Sequence, residues 1–287
     1  MMSSKAGVHK QTRSVWGNWL LVLILAGVGA FMALPLVYTI VSAFKPMDEI
    51  FLFPPRFFVR NPTVNNFTML FHLASNFWVP FERYVFNSFF VSITATAGHV
   101  IMASMAAYPL AKHKFKGREF IFSVVMLALL FSSSVTYIPQ YIIMSKLGLI
   151  NTYGALIFPA FASTLGLFLM KQFMETVPDA ILESARIDGA GEFRILWKIV
   201  MPQVKPAWLT LTVFAFQATW NITGTSFIYD ERLKGLPTML AQVSGGGIAR
   251  VGVGAAASLL LLIPPVLTFV ITQSGIIETM AHSGIKE

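Results

Sequence analysis

Long apolar stretches alternate with short polar segments along the whole chain, and this alternation predicts a bundle of membrane-spanning helices. A helix needs about 20 apolar residues to cross the hydrocarbon core of a bilayer. We therefore predict an all-α integral membrane protein. Six stretches have a suitable length, at about residues 18–44, 86–111, 120–143, 153–171, 206–229 and 254–277.

The polar segments predict how these helices are oriented. Residues 1–15 and 280–287 are expected to form terminal tails around a transmembrane domain at 16–279. Lys and Arg are more frequent in the tails and in the second and fourth connecting segments, above all in KHKFKGR at residues 112–118. Because cytoplasmic loops are enriched in these residues, both termini are predicted to be cytoplasmic. The segments at about 45–85 and 230–253 are then external loops.

Composition supports a membrane protein and excludes several other classes. Only 12% of the 287 residues are charged and the mean hydropathy is +0.68, whereas soluble domains have about 25% charged residues. The net charge of +8 lies mostly in the loops, so we expect no nucleic-acid partner. The chain has no cysteine and five scattered histidines, so no metal site is expected. No nucleophile–base pair occurs in a span, so we do not expect an enzyme.

The predicted spans have no Asp, Glu, Lys or Arg in their cores, and His99 is the one ionisable residue there. Ion-coupled carriers usually have charged residues within the membrane, so this pattern argues against them. His99 is interpreted as a hydrogen-bonded structural residue. The chain also lacks the GxxxxGK[ST] phosphate loop, so any energy from a nucleotide has to come from a partner.

The longest stretch of mixed charge is ESARIDGAGEFRILWKIVMP, at Glu183–Pro202. A helix is predicted up to about Ile187, with Thr176 and Asp179 at capping-box spacing. Residues 188–191 are predicted to turn, since glycine permits a left-handed backbone. A second helix is predicted from about Glu192 to Val200, ended by Pro202. The two helices would form a projecting structure between two spans.

This stretch resembles the cytoplasmic EAA loop of ABC importer permeases, whose pattern is Glu-Ala-Ala, three residues, Gly, nine residues, Ile-x-Leu-Pro. Ser184 and Met201 replace one Ala and the Leu. The EAA loop is placed at about 172–205, and its candidate coupling residues are Glu183, Ser184, Ala185, Asp188, Gly189, Ala190, Gly191, Ile199 and Pro202. Further resemblance to carbohydrate-importer permeases lies in Lys45-Pro46, Phe51–Pro55, Asn66-Phe67, Pro264-Pro265 and Gly284-Ile285-Lys286.

The resemblance implies the type I (MetI-like) permease fold with a cytoplasmic coupling helix, in the smaller subunit of a maltose-transporter-type pair. It also implies a bacterial cytoplasmic membrane with its lipid as a partner, a second homologous permease, two ATPase subunits and an extracytoplasmic solute-binding protein. ATP and Mg would bind the ATPases, and this chain would hold no cofactor. Glu183 would pair with a cation of the ATPase, Ala185 and Gly189 would permit close approach, and Ile199 and Pro202 would anchor the second helix.

The implied substrate is a carbohydrate. Neutral polar residues in the spans are candidates for its pathway, although for any single one of them an interhelical hydrogen bond is the favoured explanation: Asn87, Ser133, Gln140, Gln217, Trp220 and Asn221. The flexible stretch Ser244, Gly245, Gly246 and Gly247 is the candidate contact for the solute-binding protein. Alternatives are an importer for a glycerol phosphate ester, an ATP-independent channel or carrier, and a membrane scaffold without transport.

Overall fold

The computed structural model describes residues 15–223 and 226–283, and in these ranges it has helices and no strand. The predicted tails at 1–14 and 284–287 lie outside them. The last helix continues to Ser283, so the C-terminal tail begins later than the predicted residue 280. The helices are α1 Val15–Ala43, α2 Met47–Ile50, α3 Asn65–Ser75, α4 Phe81–Lys112, α5 Arg118–Ala128, α6 Ser133–Lys146, α7 Gly154–Phe161, α8 Thr164–Glu175, α9 Asp179–Ile187, α10 Glu192–Ile195, α11 Met201–Gln203, α12 Lys205–Trp220, α13 Leu236–Ser244 and α14 Val251–Ser283.

Four helical stretches of the described chain are long and apolar enough to cross a membrane. They correspond to the first, second, fourth and sixth predicted spans. Their bounds are Trp16–Ala43, Phe81–Lys112, Gly154–Glu175 and Ile248–Ile276.

The third predicted span, 120–143, is not one continuous helix. It is divided into α5 and α6 by residues 129–132. Ser132 has an extended backbone, and its side chain accepts a hydrogen bond from the Ser134 N–H at 3.3 Å. Ser132 is therefore the N-cap of α6. N–H groups in the first turn of a helix have no acceptor within the helix, and a serine side chain can supply one.

The fifth predicted span, 206–229, has wrong bounds. Its helix, α12, begins at Lys205 and already ends at Trp220. The preceding helical stretch Glu192–Gln203 meets α12 at an angle of 85°. Counted as one broken span, this pair gives up to five candidates.

The centre of the fold is α4, which packs against α7, α8 and α12. Small residues permit this close packing: a side chain at Gly98 would overlap Phe161, and one at Gly166 would overlap His99. His99 is 2% exposed, as expected of a structural residue, but its buried Nδ1 has no hydrogen-bond partner among the described residues. In contrast, α1 lies on the outside, packs against α14 and is exposed along nearly its whole length.

Both predicted external loops contain helices. Segment 45–85 includes α2 and α3, and the Asn66 amide ties it down by donating to the carbonyls of Ala43 and Lys45 at 2.9 and 2.8 Å. Segment 230–253 includes α13, in which Met239, Leu240 and Val243 are at most 1% exposed. The middle of this second segment is therefore a buried helix.

Candidate functional site

The EAA-like segment begins with α9, whose predicted end at Ile187 is confirmed. The helix starts at Asp179 after Pro178 and ends at Ile187. The predicted capping box is wrong, because Pro178 occupies the N-cap and no side chain caps the helix. Thr176 instead donates its hydroxyl to the carbonyl of Phe173 at 2.8 Å.

The predicted turn after α9 is present. Gly189 has φ +79°, a conformation that glycine adopts without steric cost. The N–H groups of Gly189 and Ala190 donate to the carbonyls of Arg186 and Ala185 at 3.0 and 2.9 Å. These two bonds close the C-terminus of α9.

The second helix of the segment differs from its prediction. α10 leads into a π-helical turn at Leu196–Val200, and α11 continues through Pro202 to Gln203. Pro202 is tolerated because it lies in the first turn of α11. The chain bends afterwards, at Val204, so Pro202 does not end the helix. Pro202 is exposed, whereas Ile199 is half-buried against the core, so of the two only Ile199 acts as an anchor.

The underside of the segment is apolar and fully covered. Leu182 and Ile195 are 1% and 0% exposed, and they belong to one buried cluster with Tyr108 of α4 and Met170 of α8. Ala185 is 8% exposed and lies in the same cluster. Its small size therefore serves packing against the bundle, rather than close approach of an outside partner.

Ion pairs fix the start of the segment to the neighbouring helices. Lys112, at the end of α4, has its Nζ 2.8 Å from Asp179 Oδ1 and also donates to the Val177 carbonyl. Glu175 pairs with Arg118 at 3.1 Å and with Lys171 at 2.7 Å. The hydrogen bond from Lys112 holds the pKa of Asp179 below its usual range.

Glu192 fixes the second half of the segment. Its carboxylate accepts from the Tyr108 hydroxyl at 2.6 Å and from Arg186 Nε at 2.8 Å. His113 Nε2 lies 3.3 Å from the same carboxylate. One acidic side chain thus joins α4, α9 and α10.

The opposite face of the segment is exposed and carries two large apolar side chains. Ile187 is 86% exposed and Phe193 is 68% exposed. Glu183, Ser184, Asp188, Gly189 and Gly191 are exposed on the same segment, and Ala190 is half-exposed. The result is a rigid projection with a mixed apolar and charged surface, which we call the coupling surface.

A polar cavity of about 240 Å³ lies near the other end of α4. It brings together two of the pathway candidates, Asn87 and Trp220, with hydroxyl and amide groups of Ser88, Thr219, Thr238 and Gln242. The Asn87 amide donates to the carbonyls of Arg232 and Lys234, each at 2.8 Å, and accepts from the Tyr153 hydroxyl at 2.7 Å. The Trp220 indole N–H donates to the carbonyl of Leu261 at 3.0 Å.

The other pathway candidates lie elsewhere. Gln140 lines a separate cavity beside Pro159, and the side chain of Ser133 is outside the described part of the structure. Gln217 and Asn221 are exposed on α12, where the Asn221 amide donates to the carbonyl of Gln217 at 3.0 Å. The tertiary structure thus divides the pathway candidates among three places, and their role stays a prediction.

The candidate contact for a solute-binding protein is the end of α13. Ser244 is its last residue and donates its hydroxyl to the Leu240 carbonyl at 2.7 Å. Gly245, Gly246 and Gly247 follow as an exposed turn, in which Gly247 has φ +77°. Arg250 closes the turn by donating to the carbonyl of Val243 at 2.9 Å.

Several residues of these sites have no signal in the sequence. Tyr108 and Glu192 are separated by 84 positions, and Asn87 and Arg232 by 145. No spacing rule connects such pairs. The basic run at 112–118 was visible, but the carboxylates that Lys112 and Arg118 pair with were not.

The fold and the anchored segment define a polytopic transport subunit, and comparison with known proteins specifies the family. Residues 99–279 match the family described as binding-protein-dependent transport system inner membrane component. The chain belongs to this family, and so it is a permease component of the ABC import type.

Similar proteins have related descriptions. The arabinooligosaccharides transport system permease protein AraQ of Halalkalibacterium halodurans is 28% identical over 94% of this chain and 96% of its own length. Protein LplC of Bacillus subtilis is 33% identical over 78% of this chain and 74% of its own. The sn-glycerol-3-phosphate permease UgpE of Yersinia enterocolitica is 29% identical over 91% and 95%. A chain of a bacterial transporter that imports the acidic polysaccharide alginate has the same fold, with a TM-score of 0.72 and 21% identity over 92% of this chain and 99% of its own.

Proposed function

We propose that this chain is the smaller permease of an ATP-driven importer for a carbohydrate, and that its coupling surface docks on an ATPase subunit. The observation that carries the proposal is that the segment has two different faces. One face exposes Ile187 and Phe193, and the opposite face is buried against the helix bundle. Large apolar side chains exposed together on an otherwise anchored segment are typical of a protein interface.

The anchors support a mechanical role for the segment. Glu192 connects it to α4 through Tyr108, and Lys112 connects it to α4 through Asp179. A push on the coupling surface would therefore move α4 and α8 as one body, since packed interfaces move between discrete arrangements rather than deform. Glu183 is exposed and makes no ion pair within the described residues, so it is available to a cation of the ATPase.

The proposed assembly contains a second homologous permease, two ATPase subunits with ATP and Mg, and an extracytoplasmic solute-binding protein. Six spans and cytoplasmic termini are proposed, with α5 and α6 together as the third span and α12 as the fifth. The proposed contact with the solute-binding protein is Ser244–Gly247. The family description and the binding-protein complex of the alginate importer support these partners.

The pathway is proposed to run along one face of α12. Phe214, Gln217, Ala218 and Asn221 recur at helical spacing and are all exposed. The face thus has an aromatic ring next to two amides, which suits the apolar faces and hydroxyl groups of a sugar. The second permease would close the pathway from the other side.

A sugar is favoured over an anionic solute by the charges near the polar cavity. Lys234, its one lining cation, pairs with Glu231 at 2.6 Å. The names of relatives support both a sugar and an anionic solute, since AraQ is described as a permease for arabinooligosaccharides and UgpE as a permease for sn-glycerol-3-phosphate. A glycerol phosphate ester is therefore the second candidate, and uptake of each labelled solute in competition with the other distinguishes the two.

The coupling role is tested with Glu183→Lys and Gly189→Asp in cells that express the whole transporter. For Glu183→Lys we expect sugar uptake to fall by about tenfold or more, because the loss of one charge-assisted contact of an interface is worth that factor. A fall of similar size is expected for Gly189→Asp, because a side chain at φ +79° strains the turn. The amount of protein in the membrane should not change. Glu119→Lys is the matched control, since Glu119 is exposed and is predicted on the same side of the membrane. Uptake at the normal rate by both coupling variants would refute the docking role.

A further inference from the structure

A second polar cavity lies at the end of α1, apart from the coupling surface and from the cavity at Asn87. Its volume is about 250 Å³, and we call it the α1 cavity. Polar groups line it from α1, from the segment after α1, and from α14. They include Tyr38, Ser42, Lys45, Glu49, Arg56 and Ser258.

The α1 cavity contains a buried cation without an acidic partner. Lys45 is 3% exposed, and no carboxylate of a described residue lies within the 4.0 Å of an ion pair. Its Nζ donates to the carbonyl of Arg56 and lies 5.0 Å from the centre of the Tyr38 ring. An ammonium group has three donors, and buried charges are normally paired. At least one donor of Lys45 is therefore left for a partner from outside.

The acid in the cavity wall does not supply that partner. Both carboxylate oxygens of Glu49 accept backbone N–H bonds, from Arg60 and Asn61, each at 2.9 Å. Glu49 thus organises the loop around the cavity instead of pairing with Lys45. With Lys45, Glu49 and Arg56 together, the lining has a net positive charge.

Other polar groups of the cavity also lack partners. The Ser42 hydroxyl is buried and has no hydrogen bond within the described structure. The guanidinium of Arg56, an exposed residue, makes no ion pair there either. Donors are thus in surplus over acceptors, and a ligand with several anionic oxygens would satisfy them.

The surroundings place this cavity where a bilayer has its headgroups. Below it, Leu34 and Val37 of the apolar helix α1 are 46% and 37% exposed. Above it, Phe53 and Phe58 are 94% and 70% exposed, and aromatic side chains are frequent at the membrane–water interface. A ligand at this level has water on one side and hydrocarbon on the other.

We propose that the α1 cavity binds the phosphate of a phospholipid headgroup. Lys45 Nζ, the Arg56 guanidinium and the Ser42 hydroxyl donate to the phosphate oxygens, and the acyl chains lie along α1 and α14. The site is a lipid-binding site of the permease itself and does not depend on the transported solute.

The test measures phospholipid that remains with the full-length chain after purification from membranes in mild detergent. Native mass spectrometry counts the bound lipids, and extraction identifies their headgroups. Lys45→Met should retain about tenfold less lipid at this site, since a charge-assisted hydrogen bond is lost. Arg56→Gln and Ser42→Ala should also retain less, and both leave the buried Lys45 in place. Lys146→Gln, an exposed lysine outside the cavity, is the matched control.

The outcomes separate the lipid from other ligands. Selective loss in the three cavity variants, with normal retention in Lys146→Gln, supports the site. Equal retention in Arg56→Gln, Ser42→Ala and the wild type overturns the proposal, even if Lys45→Met does not fold. Inorganic phosphate that displaces the lipid and binds the delipidated chain as tightly as the lipid would also overturn it, because the acyl chains then contribute nothing.

Discussion

The two ends of α4 are held to the rest of the chain by different chemistry. At the end near Lys112 the anchors are carboxylates. Asp179 pairs with Lys112, and Glu192 accepts from Tyr108 and pairs with Arg186. At the end near Asn87 the buried anchors are mostly neutral, since amide and hydroxyl groups bond to backbone groups of residues 232–236. One carboxylate takes part there as well, because Glu231 accepts from the Tyr84 hydroxyl at 3.0 Å. The first end carries the coupling surface, and the second borders the polar cavity.

This difference indicates which end can respond to its surroundings. Ion pairs with partly exposed members weaken with salt and change with pH, whereas buried hydrogen bonds between neutral groups do neither. The side chain of Asp179 is 74% exposed, and Asn87 is 0% exposed. The coupling end is thus the adjustable one and the cavity end is the fixed one.

The largest effect on stability is expected when the fixed end is broken. Asn87→Ala removes three hydrogen bonds, which leaves the Lys234 carbonyl without its donor and the Arg232 carbonyl with only the 3.4 Å contact from Arg83 Nε. We expect the free energy of unfolding to fall by about 3 kcal/mol, since each buried group without a partner is costly. Denaturant titration in mixed micelles measures it. Asn221→Ala is the control, because Asn221 is exposed and makes one bond; a similar loss in both variants would contradict the comparison.

A smaller effect is expected when the adjustable end is broken. Glu192→Ala should lower the free energy of unfolding by about 1 kcal/mol, since exposed ion pairs contribute little and this side chain is 48% exposed. The same change should reduce uptake more strongly than stability, because α10 loses its link to Tyr108. The same titration and an uptake assay test this. A loss of stability larger than that of Asn87→Ala would reverse the ranking of the two ends.

The smallest effect is expected when only the salt concentration or the pH is changed, without mutation. Raising the salt concentration should speed hydrogen exchange in α9 more than in α13, because the ion pair that anchors α9 has a largely exposed carboxylate, whereas the start of α13 is held by a buried hydrogen bond to Ser88. The pKa of Asp179 is depressed by Lys112, so its contribution is present above the ordinary pKa of the carboxyl group. It is lost as the pH falls through the depressed value. If hydrogen exchange in α9 depends on neither salt nor pH, packing alone holds this helix.

Much of the fold was predictable because it depends on local pattern. The length of the apolar stretches predicted four of the spans, and Gly189 predicted the turn after α9. The errors occurred where local chemistry interrupts an apolar stretch. Ser132 caps α6 within the predicted third span, and α12 ends before the predicted fifth span does. Hydropathy averages over such single positions and does not detect them.

The candidate sites were predicted less completely than the fold. The EAA-like pattern located the coupling segment, yet it gave Ala185 and Pro202 roles that their burial contradicts. The pattern fixes which residues recur and does not show which side each one faces. Among the pathway candidates, the structure brought Asn87 and Trp220 to one cavity and left Gln217 and Asn221 on an outer face.

The sequence by itself determined that the chain is a helical membrane protein with a charged projection between two spans. These properties follow from side-chain hydropathy and backbone preference, which act over one helix or turn. Only the tertiary structure decided which groups meet, as with Glu192 and Tyr108 or with Lys45 and the α1 cavity. Those meetings depend on how distant helices pack, and packing is a property of the whole chain rather than of any stretch within it.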